Sequence, residues 1–253
     1  MKTSREILNI ALRQSAYDCC CAPEDFGTGK NVVRESFETD KAKKFIQTPA
    51  VFLMTSYGAN VVACARKDVL AGITDVVGNA ETASDCFQMP AVSAFNAVLA
   101  AANAKIRYMG TYFLPDPDRL YDIKTDCPYD IKVLTQEKLA DLYLPQWKNA
   151  LCAQRKQLDV LGVGAYDGDE LVGLAGCSAD GGEMWQIGID VLPAYRRKGI
   201  ASCLTVRLAK ETFARGKTPF YSAAWANVAS VRNAARSGFL PAWAEMEAES
   251  QNG

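Results

Sequence analysis

The chain has 253 residues, with 28 basic and 29 acidic side chains giving a formal net charge of −1, and 49% of its residues are hydrophobic. That balance fits a globular protein with a sizeable core and excludes a general polyanion binder, so no nucleic acid is expected as a partner. The chain has nine cysteines and no histidine, which rules out Ser-His-Asp and Cys-His catalysis and most zinc sites. Any acid or base must then be a carboxylate, tyrosine, cysteine, lysine or water.

The odd cysteine count, with Cys64, Cys152, Cys177 and Cys203 standing singly in apolar surroundings, points to free thiols in a reducing compartment. The first six residues lack the apolar core of a signal peptide. The longest apolar region, from Met89 to Ala104, is broken by Ser93, Asn96 and Asn103 and is short for a membrane span. These features predict a cytoplasmic protein without a membrane partner or a metal, and they leave a homodimer open.

In chain order, residues 4–21 read as a helix, with Ile7, Leu8, Ala11, Leu12 and Ala16 on one side and Ser4 as the cap. The run Cys19-Cys20-Cys21 ends it. Adjacent cysteines point different ways and cannot converge on one metal, so they read as partly buried thiols. Residues 50–65 predict a hairpin turning at Tyr57-Gly58-Ala59-Asn60. Helices follow from Lys67 to Val77 and from Pro90 through Ala102, then a strand from Ile106 to Leu114. This α+β stretch carries no motif tied to chemistry.

Leu114-Pro115-Asp116-Pro117-Asp118 resists both helix and central strand. A boundary between 115 and 128 therefore separates an N-terminal α+β domain, 1–120, from a second domain, 129–253. The echo of Tyr121-Asp122-Ile123-Lys124 in Tyr129-Asp130-Ile131-Lys132 is too short to be a repeat. Beyond it a strand is expected at 131–134, then a helical region capped by Thr135. Strands are expected at 159–166, 171–178 and 183–191, joined by tight turns at 167–170 and 179–182.

The strand from Glu183 to Val191 runs into Pro193-Ala194-Tyr195-Arg196-Arg197-Lys198-Gly199-Ile200-Ala201. This is a basic turn opening a helix in which Ile200, Leu204 and Leu208 recur, with Gly216 as its stop. A helix N-terminus presents unpaired N–H groups and a positive dipole end, which suits an anion such as a pyrophosphate. A strand at 219–224, a helix from Ala229 and a strand at 239–246 complete the chain. Trp185, Trp225 and Trp243 read as packing residues, Cys177 and Cys203 as core, and Gly162-x-Gly164 as strand rather than nucleotide loop.

Arg196, Gly199 and Ala201 fit the Arg/Gln-x-x-Gly-x-Gly/Ala pattern of the GCN5-related N-acetyltransferases. Downstream, the segment from Asn227 through Ser230 to Gly238-Phe239 resembles that family's Asn-x-x-Ser/Ala segment ending in Gly-Phe. The resemblance covers residues 129–247. The N-terminal half resembles the extra domain of a bacterial subgroup through Gln14-Ser15-Ala16-Tyr17-Asp18 and Pro23-Glu24-Asp25-Phe26.

This resemblance implies an α+β fold with a mixed sheet. A GNAT-type acyl-CoA N-acyltransferase fold would follow a smaller α+β domain. It also implies direct transfer of an acetyl group from acetyl-CoA to a primary amine of a small molecule or peptide. In that scheme the Ile189 N–H polarises the thioester, Val191 contacts the pantetheine arm and Gly188 permits a bulge. Arg196, Arg197, Lys198, Gly199, Ile200 and Ala201 cradle the pyrophosphate, and Asn227 and Ser230 face the cofactor.

Two positions depart from the family pattern. Trp185 stands where many members carry a glutamate, and Ala234 where many carry a tyrosine that protonates the leaving thiolate. Glu183 is then the candidate base and Tyr221, with Tyr166, the candidate acid. A non-catalytic acyl-CoA-binding module and a transferase using a longer acyl-CoA are the alternatives.

Overall fold

The computed structural model describes residues 2–124 and 126–251. Met1, Thr125, Asn252 and Gly253, which fall within the expected segments and boundary, lie outside the described residues.

The first helix, α1, is Ser4–Asp18. Its cap is Thr3 rather than Ser4. Glu6 N–H donates to Thr3 Oγ1 at 3.3 Å, while Thr3 N–H donates to Glu6 Oε2 at 2.7 Å, a reciprocal box that satisfies two otherwise orphaned donors. At the other end Cys21 N–H donates to Ala16 O at 3.0 Å, and Cys20 takes the left-handed conformation with φ 54°. A glycine is usual at that position.

Next come β1 (Val32–Glu35), β2 (Phe52–Ser56) and β3 (Val61–Ala65). They are followed by α2 (Lys67–Gly78), α3 (Met89–Ala100) and β4 (Ala104–Pro115). A short helix, α4 (Pro117–Asp122), occupies the proline-rich stretch expected to resist helix. Pro117 sits in its first turn, where no N–H is needed, and Asp116 caps it by accepting from Asp118 N–H at 3.1 Å and Arg119 N–H at 3.2 Å.

The helical region expected after Thr135 shrinks to α5 (Gln136–Leu139) and short 3₁₀ turns, and Thr135 makes no side-chain cap bond. The remaining elements follow the expected order. They are β5 (Asp130–Thr135), β6 (Asp159–Asp167), β7 (Glu170–Ser178), β8 (Met184–Val191), α6 (Ile200–Ala214), β9 (Thr218–Ala224), α7 (Val228–Arg236) and β10 (Phe239–Ser250). Parallel and antiparallel pairs coexist, so this is an α+β fold with a mixed sheet.

The chain divides into two compact units built from interleaved segments. One comprises Met1–Leu8, Phe113–Ala223 and Asn227–Pro241. Its core gathers Val163, Val172, Ala175, Leu204, Leu208, Tyr221 and Phe239 around one face of α6, whose Ile200, Leu204 and Leu208 are all buried. In this unit β9, β8, β7, β6 and β5 are successive neighbours.

The other unit comprises Asn9–Tyr112, Ala224–Ala226 and Ala242–Gly253. Here β2 and β3 form the expected hairpin, β1 pairs parallel to β3 and β10 pairs antiparallel to β2. The side chains of α2 and α3 pack on the sheet through Val69, Ile73, Phe95 and Leu99.

A buried charge cluster ties α1 to β10 within this unit. Lys43 is 2% exposed, and its Nζ lies 3.1 Å from Asp18 Oδ2 and 3.3 Å from Glu245 Oε2. Tyr112 donates to Glu245 Oε1 at 2.7 Å, and Trp243 Nε1 donates to Oε2 at 3.3 Å. The Tyr112 ring centroid is 4.8 Å from the Lys43 ammonium. Burial alone would lower the Lys43 pKa, but Asp18 and Glu245 outweigh it and hold the ammonium above its ordinary value. Removing the cation leaves two buried carboxylates without their counter-charge. Lys43→Met is therefore expected to destabilise the fold by about 3–5 kcal/mol in urea titration, and adding Asp18→Asn should recover part of the loss.

Candidate active site

The pairing of β8 with its two neighbours is unequal. Antiparallel β7 accompanies it through to its C-terminal end, from Ser178 opposite Gln186 to Gly173 opposite Val191, without a shift of register. Parallel β9 accompanies it only from Met184 opposite Thr218 to Ile187 opposite Tyr221. Gln186 Nε2 donates to Ser222 Oγ at 2.8 Å near that end. Beyond Ile187 the strands part.

The pairing pattern decides which backbone groups face the gap. Leu192 N–H donates to Val172 O at 3.0 Å, which makes that a hydrogen-bonded pair. Such pairs alternate with non-hydrogen-bonded ones along an antiparallel ladder. Leu174–Asp190 and Gly176–Gly188 therefore bond across to each other. Ile189 and Val191, opposite Ala175 and Gly173, turn their N–H and C=O groups away from β7 toward the side that β9 has left. The expected bulge at Gly188 is absent from the β7–β8 ladder; the strand separation alone opens these groups.

Gly188 serves a different purpose. A Cβ there would collide with the Asn149 carbonyl oxygen, and one at Gly176 with that of Ala150. The segment around Trp147–Leu151 lies directly on the backbone of β7 and β8, which only glycine permits. Asp190 fastens it. Its Oδ2 accepts from Asn149 N–H at 2.8 Å and Ala150 N–H at 3.0 Å, and its Oδ1 accepts from Asn149 Nδ2 at 2.6 Å.

The basic turn follows β8 directly. Arg197 has φ 63° and Gly199 φ 81°, two left-handed residues flanking Lys198, and a side chain added at Gly199 would meet open space. They deliver the chain into the 15-residue α6, whose first N–H groups have no partner within the helix. Arg196 Nε donates to Val191 O at 3.0 Å, fixing the turn to the end of β8. Lys198 Nζ donates to Tyr129 OH at 3.2 Å and lies 4.8 Å from the Tyr195 ring centroid. Arg196, Arg197, Lys198 and Gly199 are exposed, Ala201 is half-buried and Ile200 anchors the helix in the core.

Asn227 caps α7, its side chain accepting from Ser230 N–H at 3.1 Å. The same asparagine that the resemblance assigns to the cofactor thus also holds the helix start. Tyr221, 3% exposed, reaches the side chains of Ser230 and Asn233. Burial raises its pKa above the ordinary value despite those hydrogen bonds, with the Asp190 charge adding slightly. It is a retained proton donor at neutral pH.

Glu183 is not brought to this gap. It precedes the first paired residues, its carbonyl accepts Thr218 N–H at 2.9 Å, and its charge acts on Lys2. Six residues of strand put it ~20 Å from Ile189. Trp185 packs on the core, Trp243 stacks on Tyr112 with centroids 4.9 Å apart, and Trp225 faces Phe87. The residues that sequence reasoning missed are Asp190, Asn149 and Gly176; the paired glycines opposite each other were the available signal.

Among the described residues no cluster of three or more Cys, Asp or Glu is arranged to hold a metal. Nor is any described helix long and apolar enough to cross a membrane.

A family model described as GNAT acetyltransferase matches residues 92–242, more than half of the chain. Among solved structures, a Drosophila protein aligns at 18% identity with TM-score 0.50, covering 66% of this chain and 59% of that one. A GCN5-related N-acetyltransferase from Kribbella flavida aligns at 16% identity with TM-score 0.49, covering 62% and 63%. A GNAT-family acetyltransferase from Novosphingobium aromaticivorans aligns at 16% identity with TM-score 0.42, covering 58% and 66%. The chain spans less than two thirds of the length of these three structures. No curated protein matches it.

The Asp190 clamp has a measurable consequence. Asp190→Ala leaves the Asn149 and Ala150 amides without their acceptor, at a cost of about 1–3 kcal/mol. Hydrogen exchange at those two amides should accelerate well beyond that of the β6–β7 ladder.

Proposed function

We propose, from the premise that this chain belongs to the GNAT acetyltransferase family, that it transfers an acetyl group from acetyl-CoA to a primary amine of a small molecule or peptide. The observation that carries this reading is the backbone edge at Ile189 and Val191 that β9 leaves unpaired, with Arg196 already on the Val191 carbonyl, running into the Arg196–Ala201 turn. An extended, amide-bearing chain ending in a pyrophosphate needs those two features in that order.

Under this reading Val191 and Ile189 offer strand-like hydrogen bonds to the pantetheine arm. The N–H groups from Arg197 to Ala201 hold the pyrophosphate. Arg197 and Lys198 add positive charge there, and Arg196 keeps the turn in place. The Ile189 N–H donates to the thioester oxygen as it gains negative charge, a fixed donor worth ~3 kcal/mol in the transition state. Asn227 and Ser230 border the same gap from the start of α7.

Tyr221 supplies the proton to the departing thiolate in place of the family tyrosine that Ala234 replaces. Its hydroxyl lies with Ser230 and Asn233 on the face of α7 that carries that position. Asp190 already accepts three N–H groups and so positions the Asn149–Ala150 segment rather than taking the amine's proton. That proton passes to solvent.

Titration calorimetry of the intact protein with acetyl-CoA tests the donor half. Saturable binding is expected, and Gly199→Glu, which sets a carboxylate in the open space before α6, should reduce affinity at least 100-fold, about 2.7 kcal/mol. Absence of CoA affinity in the unaltered protein overturns the reading.

Thiol release across an amine panel tests the acceptor half. Tyr221→Phe should lower kcat by about 10–100-fold with KM for acetyl-CoA little changed. That is less than the usual effect of a general acid, because a thiol of pKa near ~8.5 leaves readily without help. Binding without turnover on any amine would favour an acyl-CoA-binding module. Competition between acyl chain lengths separates acetyl from longer donors.

A further inference from the structure

The opening between β8 and β9 has two sides, and the chemistry above uses one of them. Side chains alternate along β8, so Ile187 and Ile189 face the core around α6, where Tyr221 also lies. Gln186, Gly188 and Asp190 face the other way, toward the segment whose Asn149 carbonyl oxygen sits over Gly188. On that second side Gln186 Nε2 donates to Ser222 Oγ at 2.8 Å, and both residues are half-buried.

The register shows where this pair points. Gln186 is opposite Phe220, and Ser222 stands two residues further along β9, one beyond the last paired residue. The Gln186 side chain therefore leans along β8 into the opening instead of straight across the sheet. With Nε2 given to the serine, Gln186 Oε1 is left to accept a hydrogen bond and Ser222 keeps a proton to donate. Both groups are neutral. Asp190, the carboxylate that β8 carries on this side, already accepts three N–H groups.

We propose that Gln186 binds the acceptor through Oε1, with Ser222 as the positioning residue that holds its amide, and that the acceptor is a weakly basic primary amine, the α-amine of an amino-acid amide or peptide. The inference deepens the acetyl-transfer reading and rests on it. An amide oxygen orients an amine by accepting one N–H, but it does not take up a proton at neutral pH. The amine must then arrive uncharged, with its lone pair free. At pH 7 an α-amine of pKa ~7.8 is about 14% neutral, and a lysine ε-amine of pKa ~10.4 only about 0.04%. In the transfer step the amine lone pair attacks the thioester carbon from the Gln186 side. The C–S bond breaks and the thiolate takes the Tyr221 proton. The new amide nitrogen loses one proton to water, and Tyr221 regains one from water.

The test compares two isomeric acceptors, lysine amide acetylated at the ε-amine and lysine amide acetylated at the α-amine. The unaltered protein should favour the free α-amine at least 10-fold in kcat/KM at pH 7, and kcat/KM should rise with pH to a plateau above that amine's own pKa. Gln186→Leu should raise KM for the amine at least 10-fold with KM for acetyl-CoA unchanged, and Ser222→Ala should do so by a smaller factor. Gln186→Glu sets a carboxylate in the opening. It should narrow the preference for the α-amine and extend activity to lower pH, a change that a merely structural role would not produce. Retained acetyl-CoA affinity checks that each variant is folded, and the preference of the unaltered protein stands without them. Equal or better use of the ε-amine, transfer to neither isomer, or an unchanged KM for the amine in Gln186→Leu overturns the inference. Acetyl-CoA binding and turnover on the wider amine panel would then leave acetyl transfer itself standing, whereas loss of acetyl-CoA affinity in the unaltered protein removes both.

Discussion

The site depends on where one strand pairing stops. β8 is held by β7 from Gln186 to Val191, but β9 leaves it after Ile187 and Tyr221. Backbone polar groups buried without partners are costly, so a strand edge that stays open needs its other edge secured and its surroundings fixed. The uninterrupted β7 ladder does the first. Asp190 and the paired glycines do the second, because the Asn149–Ala150 backbone closes on Gly176 and Gly188 and the carboxylate holds it there. The alternation of an antiparallel ladder then leaves Ile189 and Val191 as the residues with outward-facing groups. Two neighbouring strands of different direction thus define an acceptor-donor edge that no side chain has to supply.

Local signals carried much of this. The amphipathic period of α6, the turn at 167–170 and the β-prone run before the basic turn depend on neighbours a few residues apart, and each lies where its sequence pattern puts it. The chain's breaks were less legible. Asp116-Pro117 reads as a helix breaker, yet it starts α4, because a proline costs nothing in a first turn and the aspartate caps it. Thr3, one residue before the expected cap, wins because Glu6 sits three residues on and completes the box.

What sequence alone did not show rests on long-range partners. Asp190 meets Asn149 across 41 positions and Lys43 meets Glu245 across 202; neither pair has a spacing that announces it. The Cys19-Cys20-Cys21 run was visible, but the different settings of its members were not. The difference in their surroundings arises from distant segments: the Phe37 amide donates to Cys20 Sγ, and Cys19 lies buried against Thr55. Glu183 shows the reverse case. Strand alternation gave it the right face, but distance along the strand removed it from the gap.

Ala234, where the family resemblance implies a tyrosine, sits in a filled core. Ala234 is fully buried and shares one core with Tyr221, Phe239 and Phe113. The Tyr221 ring centroid lies 6.2 Å from that of Phe239 and 6.4 Å from that of Phe113. A second ring entering from α7 would overfill this space, and overpacking of that kind typically costs about 1–3 kcal/mol. On the proposed reading Tyr221, on the strand, stands in for that ring, its hydroxyl directed to the side chains of Ser230 and Asn233. Its ring is fixed by core packing, its proton is retained by burial, and its position is set by the last paired residue of β9, at the point where the strands separate.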